Sequence, residues 1–309
     1  GTDLTEEQCR QAMSEIVEGR ATSAQIAAFV MGLRVKGETA SEVAGLVDAM
    51  LDHAEPLAVE RPALDVVGTG GDLADTVNIS TISAIVAAAA GAVVVKHGNR
   101  AASSACGSAD VLEALGVRVD LPAADVSRCI AELDIGFCFA PVFHPAMRHA
   151  GPTRRELGIP TVFNILGPLS NPARPAASLI GAADQRLAPV MAEVFARRGL
   201  VALIVRGQDG LDEVTVGGDT DVWDVTDSSQ GVRGFSLSPS GVGLSVRDPE
   251  HLIGADAAFN ASVATAVLSG KGEGQLASVR DAVILNTAAA LVAYDAATGE
   301  RRYGATTDS

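Results

Sequence analysis

The sequence predicts an α/β protein, a small helical subdomain followed by a larger domain whose mostly parallel central sheet is flanked by helices. Three observations carry this expectation. The first sixty residues hold three helical-period segments, each opening on a threonine with Gln or Glu three residues later. From Ala63 onward, short β-branched runs alternate with helix-length apolar stretches, the pattern of strand–helix units that build a parallel sheet. Finally, 48% of the 309 residues are hydrophobic, enough to bury a sizeable core. Residues 1–63 are expected to form the helical subdomain and residues 64–309 the α/β domain. The Arg-, Pro- and Asn-rich stretch 152–174 interrupts the alternation and is expected to complete the helical part.

The elements follow in order. Thr5-Glu6-Glu7-Gln8 opens a helix that runs toward Gly19. Thr22-Ser23-Ala24-Gln25 opens a second, with Ile26, Phe29, Val30 and Leu33 at helical intervals up to Gly37. Thr39-Ala40-Ser41-Glu42 opens a third, carrying Val43, Leu46, Val47, Met50 and Leu51 and ended by Pro56. The apolar stripes of these helices can pack internally or against a second subunit. Residues 63–67 read as an extended segment running into Gly68-Thr69-Gly70-Gly71-Asp72, followed by an apolar helix over about 79–91 and a buried strand at 92–95. A helix over 108–116, strands at 135–139, 177–181 and 200–205, and short β pieces within 208–245 come next. Two helices close the pattern within 255–295, the second from Ser278 to Ala296.

Composition narrows the function classes. A net charge of −15 and a pI near 4.7 disfavour general nucleic-acid binding, which needs a basic surface to displace counterions. Aromatic residues are only 4%, which leaves little for a base-stacking surface. No uninterrupted apolar run approaches the ~20 residues of a membrane span, and the first residues do not read as a signal peptide, so no membrane partner is expected. Cys9, Cys106, Cys129 and Cys138 form no CxxC pair or metal spacing and read as free thiols of a cytoplasmic protein. The expectation is an acidic, cytoplasmic enzyme.

Four segments can carry chemistry. Gly68-Thr69-Gly70-Gly71-Asp72 stands at the C-terminal end of an expected strand, where open α/β sheets bind ligands. It is either a phosphate cradle of backbone N–H groups or a tight turn that needs positive φ at Gly70 or Gly71. Leu73 occupies the third-glycine position of a dinucleotide fingerprint, and no GK[ST] follows as in a P-loop. Thr76-Val77-Asn78-Ile79-Ser80-Thr81 places short polar side chains before an apolar helix. Ser80 or Thr81 can cap that helix, take part in an anion site at its N-terminus, or ligate Mg²⁺. Lys96-His97-Gly98-Asn99-Arg100 follows the strand 92–95. Lys96 is one of three lysines in a chain with twenty arginines, and its place beside a buried strand suits a phosphate partner. Ser103, Ser104, Gly107 and Ser108 add small polar groups. Asp209-Gly210-Leu211-Asp212-Glu213 offers adjacent carboxylates, either plain surface acids or Mg²⁺ ligands beside a substrate phosphate. No triad or low-pKa cysteine supports covalent catalysis.

Taken together these segments resemble the anthranilate phosphoribosyltransferase family. The matching residues are Val67 to Asp72, Asn78 to Thr81, Lys96 to Arg100, Gly107 to Gly116, Phe139 to Pro141, Arg154 to Gly158, Phe163 to Leu169 and Asp209 to Glu213, in the family's order and spacing over nearly the whole chain. The resemblance implies transfer of the 5-phosphoribosyl group of phosphoribosyl pyrophosphate to the amine of anthranilate, the second step of the tryptophan branch from chorismate. It implies that Gly68, Gly71, Asp72, Thr76, Asn78, Ser80, Thr81, Lys96 and Ser108 line the phosphoribosyl pyrophosphate pocket. Ser80, Asp212 and Glu213 would hold Mg²⁺, two ions per subunit. Gly68, Asn99 and Arg154 would meet anthranilate, with His97, His144 and Pro168 shaping its channel. A homodimer through the helical subdomain is also implied. Leu73 and Val77 depart from the family's usual Gly and Phe, and Leu73 raises the question of whether the phosphate loop keeps its shape.

Three other readings fit less well. A pyrimidine nucleoside phosphorylase leaves Arg154 to Pro168 unexplained. A non-catalytic nucleic-acid binder conflicts with the net charge of −15 and with the pair Asp212 and Glu213, although Arg148, Arg154, Arg155 and Arg174 could form a local basic patch. A NAD-dependent enzyme lacks the third glycine.

Overall fold

The computed structural model describes residues 1–101 and 105–300. Ser103, Ser104 and the end of the chain from Arg301 lie outside the described residues. The three expected N-terminal helices are α1 (Glu6–Val17), α2 (Ser23–Lys36) and α3 (Ala40–Asp52), and each begins with the reciprocal capping box read from its sequence. Thr5, Thr22 and Thr39 accept from the backbone N–H groups of Gln8, Gln25 and Glu42 at 3.2, 3.3 and 3.3 Å, and those side chains reach back to the threonine N–H groups. Two orphan donors per helix are thereby satisfied. Helix α3 ends at Asp52, ahead of Pro56, and His53 Nδ1 lies 2.8 Å from the Ala49 carbonyl over its last turn.

Among the described residues seven strands form one sheet: β1 (Leu64–Gly68), β2 (Val94–Gly98), β3 (Ile135–Phe139), β4 (Ala177–Gly181), β5 (Val201–Gly207), β6 (Thr220–Val225) and β7 (Arg233–Leu237). Their order is β3-β2-β1-β4-β5-β6-β7, parallel from β3 through β5 and antiparallel for the last two. After β1 the chain builds outward to β2 and β3, then returns to lay β4 on the other side of β1. Loops leaving β1 and its neighbours therefore diverge, and a crevice opens at their C-terminal ends.

The remaining helices are α4 (Ile79–Ala89), α5 (Ser108–Ala114), α6 (Ala123–Leu133), α7 (Ala140–Phe143), α8 (Gly151–Leu157), α9 (Phe163–Leu169), α10 (Ala188–Arg197), α11 (Ala257–Leu268) and α12 (Leu276–Thr298). On one face of the sheet, Met13, Val30, Leu46 and Val47 of the N-terminal helices share a core with Leu166 of α9, Met191 and Phe195 of α10, and Ile180 and Ile204 of the sheet. On the other face, α4 and α12 pack on Val66, Leu179 and Leu203. Helix α12 is long and apolar enough to span a bilayer, with a mean hydropathy of 1.5, but 67% of that stretch is buried inside the fold. It is the core helix of the α/β part.

Two expectations change. The strand expected at 92–95 is shifted to Val94–Gly98, because its limits follow its full-length pairing with Ile135–Phe139 of β3. Lys96 and His97 are thus strand residues rather than members of a following loop. Helices α6 and α10 were not anticipated. Their local signals are a proline at the N-cap (Pro122) or in the first turn (Pro189), and Asp134 in the left-handed region after α6.

Candidate active site

A cleft of about 810 Å³ opens at the C-terminal ends of β1 and β2. It brings together every site residue expected from the sequence. Gly68, Gly71, Asp72, Thr76, Asn78, Ser80 and Thr81 line one side, with Lys96, Ser108, Asp212 and Glu213. Asn99, His97, His144, Arg154 and Pro168 line the cleft as well, and Arg148 and Arg155 join Arg154 there.

The loop after β1 is built by its glycines. Gly70 and Gly71 have φ of 67° and 82°, so both need the left-handed region. Leu73 follows at φ 61° and is exposed, so the loop keeps a left-handed turn where the side chain must bear the steric cost. Gly68 and Gly181 are register partners across β1 and β4. A Cβ on Gly68 would stand 2.4 Å from Asp212 Oδ2, and one on Gly181 would stand 1.5 Å from the Asp212 carbonyl oxygen. The two bare backbones therefore let the turn that carries Asp212 and Glu213 lie directly over the strand ends. Gly70 N–H donates to Asp212 Oδ2 at 2.7 Å, and Ser80 N–H donates to Glu213 Oε1 at 3.0 Å.

Helix α4 points its N-terminus into this group. Asn78 is its N-cap residue but makes no capping bond. Its side chain instead donates to the Cys106 carbonyl at 3.1 Å and accepts from Asn260 at 2.9 Å. Ser80 and Thr81 are first-turn residues and not caps, and Thr81 Oγ1 is buried with no partner among the described residues. The helix dipole and an unused hydroxyl converge where an anion can bind, although the first-turn N–H groups of Ile79, Ser80 and Thr81 are taken by Val77 O, Glu213 and Asn78 O.

Charge in this wall is buried and only partly balanced. Asp212 and Glu213 are 9% and 8% exposed. Burial pushes the Glu213 carboxyl up to about 8, with Lys96 pulling the other way, and burial together with Asp72 and Glu213 raises Asp212 well above its usual range. Lys96 is also buried. Its Nζ donates to the Val66 carbonyl at 2.6 Å and to Ser80 Oγ at 3.3 Å, and desolvation lowers its pKa against the pull of Asp65, Glu213 and Asp212. Adjacent buried carboxylates with one cation beside them are costly unless a further positive charge joins them. The donor set, two carboxylates and a serine hydroxyl, is all hard oxygen and fits Mg²⁺. No group of three His, Cys, Asp or Glu side chains among the described residues forms a closed metal cage.

The opposite wall comes from α8 and α9. Arg154 stacks its guanidinium 5.4 Å above the Phe163 ring and has no ion pair among the described residues. Its surroundings lower its pKa by desolvation. Pro168 lies inside α9 and removes one helical hydrogen bond. Carbonyls at that end take the two histidines: His97 Nδ1–H donates to Gly167 O at 2.9 Å, and His144 Nε2–H donates to Ser170 O at 2.9 Å. The rings lie 5.1 Å apart. Burial lowers His97 to about 3 and His144 to about 4, so both are neutral at pH 7. His97 Nε2 is left as a buried acceptor without a partner among the described residues. Asn99 is held from its other side, its carbonyl accepting from Ser108 Oγ at 3.2 Å.

Sequence reasoning missed Asp65 and Asn171, buried polar residues behind this wall, and the stacking role of Phe163. A lone aspartate inside the apolar run Ala63-Leu64-Asp65-Val66-Val67 was the available signal.

Known proteins place this geometry. Residues 60–304 match the family described as "Glycosyl transferase family, a/b domain", and residues 1–54 match its "helical bundle domain". The anthranilate phosphoribosyltransferase of Saccharopolyspora erythraea is 57% identical over 295 residues, covering 96% of this chain and 82% of that protein. That of Acidothermus cellulolyticus is 60% identical over 293 residues, covering 95% of this chain and 81% of that protein. Among solved structures, the Thermus thermophilus anthranilate phosphoribosyltransferase superposes with a TM-score of 0.89 at 42% identity, covering 96% of this chain and 90% of that one. The Saccharomyces cerevisiae enzyme in complex with phosphoribosyl pyrophosphate and Mg superposes with a TM-score of 0.84 at 31% identity, covering 97% of this chain and 86% of that one. With its glycine loop, buried carboxylate pair and unpaired arginine in one cleft, and with this identity along almost its whole length, the chain belongs to the anthranilate phosphoribosyltransferase family of glycosyl transferases.

Proposed function

We propose that the cleft joins phosphoribosyl pyrophosphate to anthranilate in tryptophan biosynthesis. The amine nitrogen forms a bond to the ribose carbon as the bond to pyrophosphate breaks, the electron pair leaves with pyrophosphate, and the nitrogen releases one proton to solvent. The observation that carries this reading is the division of one cleft into an anion-binding wall with buried carboxylates and a facing wall with an unpaired guanidinium.

In this reading the 68–81 loop binds the phosphate groups through backbone N–H, with the α4 dipole and the Thr81 hydroxyl beside it. Lys96 adds fixed positive potential where the leaving group gains negative charge. Ser80, Asp212 and Glu213 hold Mg²⁺, which when bound neutralises the leaving oxygens, and our finer reading is two ions per subunit. Arg154 presents its planar fork to the anthranilate carboxylate. His97 and His144 wall the amine side as neutral rings and add no positive charge of their own beside the ribose. Asn99, Gly68 and Pro168 complete the acceptor channel. Positioning and electrostatics supply the catalysis, since an aromatic amine needs little activation.

The same reading assigns residues 1–63 with 152–174 to a helical subdomain and 64–309 to the phosphoribosyl pyrophosphate domain. We propose a homodimer through the helical part, where Val35 is 82% exposed and Ile159 44% exposed. We place the protein in the cytoplasm, in keeping with its free cysteines.

The test mixes the protein with Mg²⁺, anthranilate and phosphoribosyl pyrophosphate and follows anthranilate fluorescence. Loss that requires all three components is expected. Folded protein that leaves the signal unchanged beside a working control enzyme would overturn the reading.

A further inference from the structure

The sheet has a gap in its ladder at the centre. β1 pairs with β4 at all five positions from Leu64 to Gly68, and β2 pairs with β3 at all five from Val94 to Gly98. Between β1 and β2 the register holds only at Leu64 opposite Val94. Beyond that pair the strands stay neighbours but the ladder is not continued, and backbone groups that would bond across it need other partners. Side chains supply them. Asp65, fully buried, accepts from the His97 N–H at 3.1 Å through Oδ1 and from Asn171 Nδ2 at 2.8 Å through Oδ2. The same Asn171 nitrogen donates to the Val95 carbonyl at 2.7 Å, and Asn171 Oδ1 accepts from the Ala173 N–H at 2.9 Å. Lys96 Nζ takes the Val66 carbonyl.

This wedge has a direction. Asn171 follows directly on Ser170, whose carbonyl holds His144, and comes four positions after Gly167, whose carbonyl holds His97. Asp65 thus ties together the backbone of His97 and the turn that orients both rings. The loop after β1 and the start of α4 are anchored elsewhere, through Gly70 to Asp212 and Ser80 to Glu213, and of the phosphate-side groups Lys96 alone also has Asp65 as a charged neighbour. We infer that Asp65 and Asn171 are positioning residues for the aromatic-amine half of the reaction, fixing the wall that receives the acceptor without touching it. The inference rests on the function proposed above.

The test is steady-state kinetics of the wild type and Asp65→Asn, with thermal unfolding and ¹⁵N spectra of the histidine rings. The amide at 65 faces two donors and can satisfy only one. With the fold kept, kcat/KM for anthranilate should fall by about tenfold or more, as a displacement near 1 Å can cost up to ~100-fold. The apparent KM for phosphoribosyl pyrophosphate should move by clearly less than that for anthranilate, because the Gly70–Asp212 and Ser80–Glu213 bonds are untouched and only Lys96 loses a charged neighbour. The ¹⁵N shifts of His97 should lose the single Nδ1–H tautomer of the wild type. Asn171→Ala, which leaves the carboxylate in place, should shift the anthranilate term in the same direction, and it decides the matter should Asp65→Asn fail to fold. Equal changes in both substrates' KM values, or wild-type kinetics in a folded variant, would overturn the inference. An inactive wild type would instead strike the proposed function itself.

Discussion

The wall built on the strand ends gathers Asp72, Asp212, Glu213 and Lys96 around a helix N-terminus, whereas the side of the cleft near α8 and α9 carries Arg148, Arg154 and Arg155, with no ion pair to any of them among the described residues, and two neutral imidazoles. In the first, charge is packed in and left partly unbalanced, so the energy of burying it is released when a cation and phosphates arrive. In the second, no carboxylate balances the arginines: the histidines are kept neutral by burial, and the guanidinium stacked on Phe163 is left for an anion. The contrast teaches how one cleft sorts a polyanionic substrate from a flat aromatic acid. Each wall is costly in the free protein in a way that only its own ligand relieves.

The comparison is broken hardest at Glu213. Glu213→Gln keeps size and the acceptor for Ser80 N–H but removes the charge, and turnover should drop by roughly 10²–10³-fold with a higher Mg²⁺ requirement. Because burial already pushes this carboxyl up to about 8, the metal-free variant should be at least as stable as the wild type. Rates titrated against Mg²⁺ and thermal midpoints without it check both halves. Unchanged Mg²⁺ dependence would place the ion elsewhere.

The facing wall is tested by Arg154→Ala. Losing a charge-assisted fork should cost about 2–3 kcal/mol toward anthranilate, a rise in its KM of roughly 30- to 150-fold. The phosphoribosyl substrate should be nearly unaffected, and parallel rises in both constants would remove Arg154 from the acceptor side.

A smaller effect sharpens the neutrality of the rings. Folding depresses His144 from 6.5 to about 4. A group depressed in this way contributes stability that is fully present above pH 6.5 and is lost as pH falls toward 4, where the unfolded chain binds the proton first. The stability advantage of the wild type over His144→Gln should therefore shrink by about 2–3 kcal/mol between pH 7.5 and 4.5. Denaturant melts at both pH values measure it, and a constant difference would mean the ring is not held neutral by burial.

Much of the site was legible from local sequence. The glycine loop announced positive φ, which Gly70 and Gly71 adopt, and the polar run before α4 announced its N-terminus. Leu73 was a warning that the loop might change, yet the residue takes up φ 61°. Its neighbours over-determine the turn: Gly70 N–H is bound by Asp212, Ala74 N–H by Asp72, and Val77 N–H by the Leu252 carbonyl. Strand limits were less legible, because Val94–Gly98 is bounded by its partner strand and not by its own β-branched run.

The sequence by itself determined the three capped helices, the alternation that makes a parallel sheet, and the residue types of both walls. These are written within a few residues of one another, over distances where capping, periodicity and backbone sterics act. Only the tertiary structure decided that Ser80 N–H meets Glu213, 133 positions away, and that Arg154 lies over Phe163. It also decided that Asp65 and Asn171, 106 positions apart, fill the gap between β1 and β2. Such pairings depend on which strands become neighbours and where the ladder between two of them stops. That is settled by packing the whole sheet against its helices, and it leaves no periodicity in the chain to read.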